Sequence, residues 1–272
     1  MKKFLTLVEV EFRHLIFTLI GFFVALTGIS SLLFFSASSS ANSNAIRIMN
    51  QGSLSIAEFT EMNGYFTLRS ISNHMLHYMV FILFFFALIG TISLWIWQRE
   101  WAGKSKSIYF LLSLRAPRLR ILATKLLVVV VISWLFFGMI LINLAIGAFI
   151  MNVVFENGLV GNALIPGYLQ NAHWILALAL PASFTHFIYQ TFFTIAIFSA
   201  MTGWVLLTKS FKWLGGVIGL IYCIATLSTY IYTQMLWLFY DERILVDWIF
   251  VLASCLISFA LNWWLLEKRI SV

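Results

Sequence analysis

Residues 75–97 read MLHYMVFILFFFALIGTISLWIW, 23 consecutive positions without Asp, Glu, Lys or Arg. As a helix this run rises roughly 35 Å at 1.5 Å per residue, enough to cross the ~30 Å hydrocarbon layer of a bilayer. In lipid no water meets the backbone N–H and C=O groups, so such a segment is stable only when a helix satisfies them internally. Working outward, residues 15–35, 126–154, 175–207, 213–232 and 248–266 are also uncharged and apolar. The predicted fold class is all-α: a polytopic membrane protein whose six transmembrane helices form one domain over residues 1–272. Composition agrees, with 62% apolar and 10% charged residues and a mean hydropathy of +0.96. A soluble core of this size cannot hide so much apolar surface, which excludes the soluble-enzyme classes. The fourth stretch exceeds what a bilayer needs, and Pro181 is expected to kink or start it. Residues 157–174, with Pro166-Gly167, read as an outer loop with a short re-entrant or interfacial piece.

Charge orients the spans. With six of them, both termini and the loops after spans two and four share one side, holding 14 of the 17 Lys and Arg, while six of the ten acids lie opposite. By the positive-inside rule the N- and C-termini are cytoplasmic and the chain is expected in the cell membrane. A seven-span reading moves Lys209, Lys212, Lys268 and Arg269 to the outside and breaks the asymmetry. The net charge of +7 is then a record of topology, with no nucleic acid as a partner. Lys2-Lys3 and the small residues at 36–41 (SASSSA) invite a signal-peptide reading, but Glu9, Glu11 and a 21-residue apolar run speak for a retained first span. Cys223 and Cys255 fall inside apolar runs and offer no disulfide framework.

Two cytoplasmic elements stand out. Residues 2–15 form an amphipathic helix with Phe4, Val8, Phe12 and Leu15 on one face and Lys2, Thr6, Glu9 and Arg13 on the other; it is expected to lie along the inner membrane surface and then turn into the first span. Glu11 falls on the apolar face, where its carboxylate either meets a basic partner or snorkels to the interface. The second element is the loop at 99–125. Its apolar residues Ile108, Leu111, Leu112 and Leu114 suggest a short helix ending before Pro117, in a basic frame. This serves either as a docking knob for a soluble partner or as a membrane-hugging, positive-inside anchor.

These residues resemble a family. Glu100 and Gly103, then Leu111-Leu112-Ser113, then Arg118, Ile121-Leu122 and Lys125 look like the loop between the second and third helices of type-2 ABC transporter permeases. There an acid and a glycine precede a short coupling helix, and a lysine opens the third helix. The segment with Glu9, Glu11 and Arg13 resembles the connecting helix of the same family. This sequence departs from the pattern at Lys104, where the family usually has a small hydroxyl residue, and at Pro117, which adjoins Arg118 instead of lying three residues before it. The resemblance implies the membrane subunit of an ATP-driven exporter. It implies a second permease subunit, identical or related, and a separate ATP-binding subunit that docks on Glu100, Gly103, Lys104, Ile108, Leu111, Leu112 and Arg118, with Glu11 and Arg13 in the connecting helix. It also implies a path walled by the second and fifth helices, which here carry Phe81, Phe85, Trp95, Tyr222, Thr226 and Tyr230.

No catalytic constellation is recognisable, so the chain is not expected to be an enzyme. The run AGKS at 102–105 lacks the glycine that a phosphate-binding loop needs five residues before Gly103, where Gln98 stands. No cofactor is therefore expected on this chain; ATP and Mg belong to the partner. His74, His77 and His173 either form an outer metal site with Glu156 or Asp241 or are plain interfacial imidazoles. His186, Gln190 and Thr194 make a polar stripe suited to interhelical hydrogen bonds. The stripes Tyr222, Thr226, Thr229, Tyr230, Thr233 and Ser254, Ser258, Asn262 either tie helices together or line a path. Outside, residues 36–73 open as a Ser/Asn-rich linker and carry Ser55-Ile56-Ala57-Glu58, a capping-box pattern that predicts a helix near 56–62. The loop at 233–247 carries Asp241, Glu242 and Asp247, where the resembled family has short outer helices. The competing function class is a stand-alone membrane protein, a secondary carrier or a sensor or assembly factor without an ATPase; the lack of any acid inside a predicted span weakens a proton-coupled carrier.

Overall fold

The computed structural model describes residues 2–72, 75–102, 118–155, 158–161, 183–235 and 240–268. Among these the chain forms helices α1 (Lys2–Gly52), α2 (Ile56–Asn63), α3 (Leu68–Ser72), α4 (Met75–Ala102), α5 (Arg118–Val154), α6 (Phe184–Met235) and α7 (Tyr240–Lys268). Five of them, α1, α4, α5, α6 and α7, are long and apolar enough to cross a membrane, so the chain is an all-helical, multi-pass membrane protein. Two compact units divide the chain: one of Met1–Ile16, Ala87–Ser133 and Ile188–Val272, the other of Phe17–Phe86 and Trp134–Phe187.

In the second unit the Ser/Asn-rich stretch that reads as a linker from Ser36 is helical, and α1 runs unbroken to Gly52. The reason is a buried seam of Leu26, Ser30, Phe34, Ser38, Ala45 and Met49, spaced by four or seven residues, one or two helical turns, which passes straight through the polar stretch. Hydroxyls there fold back onto the helix itself: Ser36 Oγ donates to Leu33 O at 3.0 Å and Ser43 Oγ to Ser39 O at 2.9 Å. Likewise, residues 2–15, expected as a surface helix that turns into the first span, continue into it as one 51-residue helix. Helix α5 lies parallel to α1. Ser30 Oγ donates to Asn143 Oδ1 at 2.6 Å, Phe34 packs on Gly147, and Asn42 Nδ2 donates at 3.1 Å to the carbonyl of Val154, the last residue of α5. A Cβ at Gly147 would stand 2.8 Å from the Phe34 ring, so glycine sets this approach. Phe85 packs between Phe86, Phe136 and Phe137.

The helix predicted near 56–62 is present as α2. Ser55 caps it, with Glu58 N donating to Ser55 Oγ at 3.3 Å and Ser55 N to Glu58 Oε2 at 2.7 Å. Phe59 stacks on Phe66 and Phe66 on Phe155, while Phe66 N donates to Leu159 O and Gly161 N to Phe66 O, both at 2.9 Å.

In the first unit, α6 is two arms. Lys212 has φ 52° and ψ −128°, outside helical geometry, and the arms at 184–211 and 213–235 fold back on each other. Trp204 Nε1 donates to Gly216 O at 3.1 Å and Cys223 Sγ to Ala200 O at 3.7 Å, the descending register of an antiparallel pair. A Cβ on Gly215 would overlap the Leu207 carbonyl oxygen, so this position closes the reversal only as glycine. Helix α7 runs parallel to the first arm: Cys255 Sγ donates to Phe192 O at 3.3 Å and Asn262 Nδ2 to Ser199 O at 2.8 Å. It runs antiparallel to the second arm, with Tyr222 Oη and Ser258 Oγ 2.5 Å apart and Tyr230 packed on Phe250.

Candidate functional site

The polar centre of the first unit grows from Glu11. Its position on α1 follows from helical spacing: four residues before Leu15, it shares the inward face and is only 4% exposed. A carboxylate there is costly unless paired. Two cations from distant elements meet it. Arg99 near the end of α4 brings Nη2 to 2.7 Å from Oε2, and Lys125 in the first turns of α5 brings Nζ to 3.1 Å from Oε1. Glu11 is therefore not a snorkelling residue; it is the buried anion to which both flanks of the 100–124 connection are tied.

Lys125 is 0% exposed, and its surroundings are matched to a charge. Its ammonium sits 4.9 Å above the centroid of the Trp97 ring and 3.5 Å from the carbonyl oxygen of Ile96. Trp97, itself fully buried, donates through Nε1 to Thr202 Oγ1 at 3.0 Å, which carries the network onto the first arm of α6. Four elements thus converge on one carboxylate and one indole: α1, α4, α5 and α6. The arrangement has no nucleophile or paired acid and base; its chemistry is electrostatic fixation. Glu11 and Lys125 are short of solvent, Arg99 keeps partial access to it, and all three are held by oriented partners that tie their elements together.

Arg13 makes a different contact. It pairs with Glu9 at 3.7 Å, both side chains are largely exposed, and such a pair contributes little. Of the expected docking residues, Glu100 lies in the last turns of α4 and Arg118 opens α5. Gly103, Lys104, Ile108, Leu111 and Leu112 fall outside the described residues, as does the start of the fourth span with Pro181. Of the expected path residues, Phe81 and Phe85 are buried in the second unit, whereas Trp95, Tyr222, Thr226 and Tyr230 belong to the first. Trp95 is 50% exposed. Tyr222 is engaged with Ser258, Thr226 Oγ1 donates to Tyr222 O at 2.9 Å, and Tyr230 packs on Phe193 and Phe250.

Gln190 and Thr194 of the His186 stripe are buried on α6. His74, His173 and Glu156 lie outside the described residues, and among the described ones there is no cluster of three or more His, Cys, Asp or Glu. Sequence reasoning names Glu11 and its need for a cation, but not Trp97 and Thr202 as supports of that cation. The available signal was spacing: Arg99 and Lys125 are the first and last basic residues of their loop. Comparison with protein-family models, with curated proteins and with solved structures finds no match to the chain.

Proposed function

We propose that this chain is the membrane-spanning permease subunit of an ATP-driven exporter of the type-2 ABC class, working in the cell membrane with a second permease subunit and separate ATP-binding subunits. The observation that carries the reading is the shared carboxylate of Glu11 between Arg99 and Lys125. A permease driven by a soluble ATPase needs its docking loop mechanically joined to its transmembrane helices. Here both flanks of the loop are locked to the N-terminal helix and, through Trp97 and Thr202, to α6. A push on residues 103–117 by a docked ATPase is transmitted to these elements and not lost in a slack loop. For the push to switch access, the partner must contact the two states differently.

The two antiparallel arms of α6 support six crossings in place of five, and six crossings leave both termini with the basic loops on the cytoplasmic side. ATP and Mg are held by the partner. The test is copurification of the full chain from native membranes, with identification of what elutes alongside. An ATP-binding subunit in the complex, lost together with ATPase stimulation when residues 104–114 are deleted, is the expected result. Recovery without any such subunit, and function indifferent to ATP depletion, assigns the chain to the stand-alone class instead.

A further inference from the structure

The reversal of α6 opens a cavity of about 650 Å³ inside the first unit. Its lining is mainly apolar, with Leu94, Val205, Val217 and Leu220 beside the polar Gln98 and Thr208, and it includes two cationic residues, Lys209 and Lys212. Trp213 lines the same cavity and is 77% exposed, as an aromatic residue anchored at a membrane–water boundary is. Among the described residues neither lysine lies within ion-pair distance of a carboxylate. Lys209 Nζ is 5.5 Å from the Trp101 ring centroid, a contact that favours the charge while offering its N–H groups no strong acceptor. Lys212 adopts a positive φ at a turn where glycine would be relaxed. A residue kept there against its backbone preference is of use through its side chain.

We propose that this cavity binds one anionic phospholipid, with the headgroup phosphate between Lys209 and Lys212 and the first part of an acyl chain along the aliphatic wall. The volume suits a headgroup and a chain segment, the remainder of the lipid staying in the bilayer. A zwitterionic lipid offers the same chain but brings its own cation toward the two lysines. Free phosphate satisfies the lysines but makes no use of the wall. A basic pocket between helices at the headgroup level matches the phospholipid. The inference needs only the membrane placement of the chain and is independent of the permease reading.

Native mass spectrometry of the full chain in detergent tests it, titrating dioleoylphosphatidylglycerol against dioleoylphosphatidylcholine. A lysine near an anionic headgroup is worth roughly five-fold in affinity, so the first phosphatidylglycerol should bind roughly thirty-fold more tightly than phosphatidylcholine. In Lys209→Gln/Lys212→Gln the two lipids should bind alike. Lys212→Gly relaxes the backbone while removing one cation; it should keep the thermal stability of the parent and lose roughly five-fold in phosphatidylglycerol affinity. It decides the matter alone if the double variant does not fold. Millimolar inorganic phosphate should leave bound phosphatidylglycerol in place. The proposal is overturned if the parent shows no lipid preference, if the preference survives in the double variant, if Lys212→Gly binds like the parent, or if inorganic phosphate displaces the lipid.

Discussion

The carboxylate of Glu11 and the ammonium of Lys125 meet at 3.1 Å across 114 residues of sequence, with side chains only 5% and 1% exposed. Arg99 holds the other oxygen at 2.7 Å with its own side chain 26% exposed. The asymmetry matters. Arg99 retains access to water, so Lys125 is the cation that depends on Glu11.

Removing the anion should therefore cost more than removing either cation. Glu11→Gln leaves two cations facing a neutral amide, one of them fully buried, and is expected to destabilise the protein by about 3–5 kcal/mol. Arg99→Gln should cost clearly less, because solvent screens the change. Replacing the buried pair together, Glu11→Leu with Lys125→Met, should recover much of the loss, since the charges then vanish as a pair. Thermal unfolding of the parent and the three purified variants in detergent checks the order. Equal effects of Glu11→Gln and Arg99→Gln would contradict the geometry.

Helix α1 approaches α5 at Gly147, where any Cβ would press into the Phe34 ring. Gly147→Ala should destabilise by about 1–3 kcal/mol through overpacking. Phe34→Leu in the same chain should restore part of it by withdrawing the ring, although Phe34→Leu alone costs stability. A double-mutant cycle on the unfolding midpoint measures that coupling; purely additive effects would mean that the two residues do not touch.

The cap of α2 is sensitive to acid. The backbone hydrogen bond from Ser55, and then the one from its hydroxyl, hold the Glu58 carboxyl below its ordinary value of 4.5, with only slight opposition from burial. A lowered folded-state pKa means that the cap's contribution is complete above the ordinary value and is lost as pH falls through the folded one. Amide hydrogen exchange at residues 55–58, corrected for the intrinsic rate, should show protection that weakens below about pH 4.5. Glu58→Gln should flatten that dependence, and a pH profile unchanged by the substitution would remove Glu58 as its source.

The membrane class, the apolar runs and the capped helix at 56–63 were legible because each rests on local pattern: hydropathy over some twenty residues, or a capping box within four. Glu11 was half legible. Its place on an apolar face announced a missing cation, but Arg99 and Lys125 are reached only through tertiary packing. Residues 36–44 misled for the converse reason. Ser and Asn favour turns when their side chains compete for the backbone, but here Ser38 is buried in the seam and Asn42 caps the end of α5, so packing keeps the segment helical. The reversal at Lys212 was visible as two lysines between apolar runs, whereas the closeness of the two arms depends on Gly215 against Leu207.

That closeness makes a prediction about topology. If the arms of α6 cross the membrane separately, Ser183 and Thr233 lie on one side of it and Lys209 on the other, because the register of Trp204 with Gly216 and of Ala200 with Cys223 brings the far ends of both arms together. In a chain with Cys223 and Cys255 replaced by Ala, single cysteines at positions 183 and 233 should react with an impermeant thiol reagent from the outer face, and one at position 209 only from the cytoplasmic face. An unbroken helix gives a different pattern: its 52 residues span roughly 78 Å, which places position 209 at membrane depth and the two ends on opposite faces. Gly215→Ala sharpens the distinction, since the added methyl overlaps the Leu207 carbonyl and forces the arms apart. It should lower the thermal midpoint while leaving the labelling pattern of the two arms unchanged, because separate crossing is set by hydropathy and the lysines at the turn, and close packing is set by the glycine.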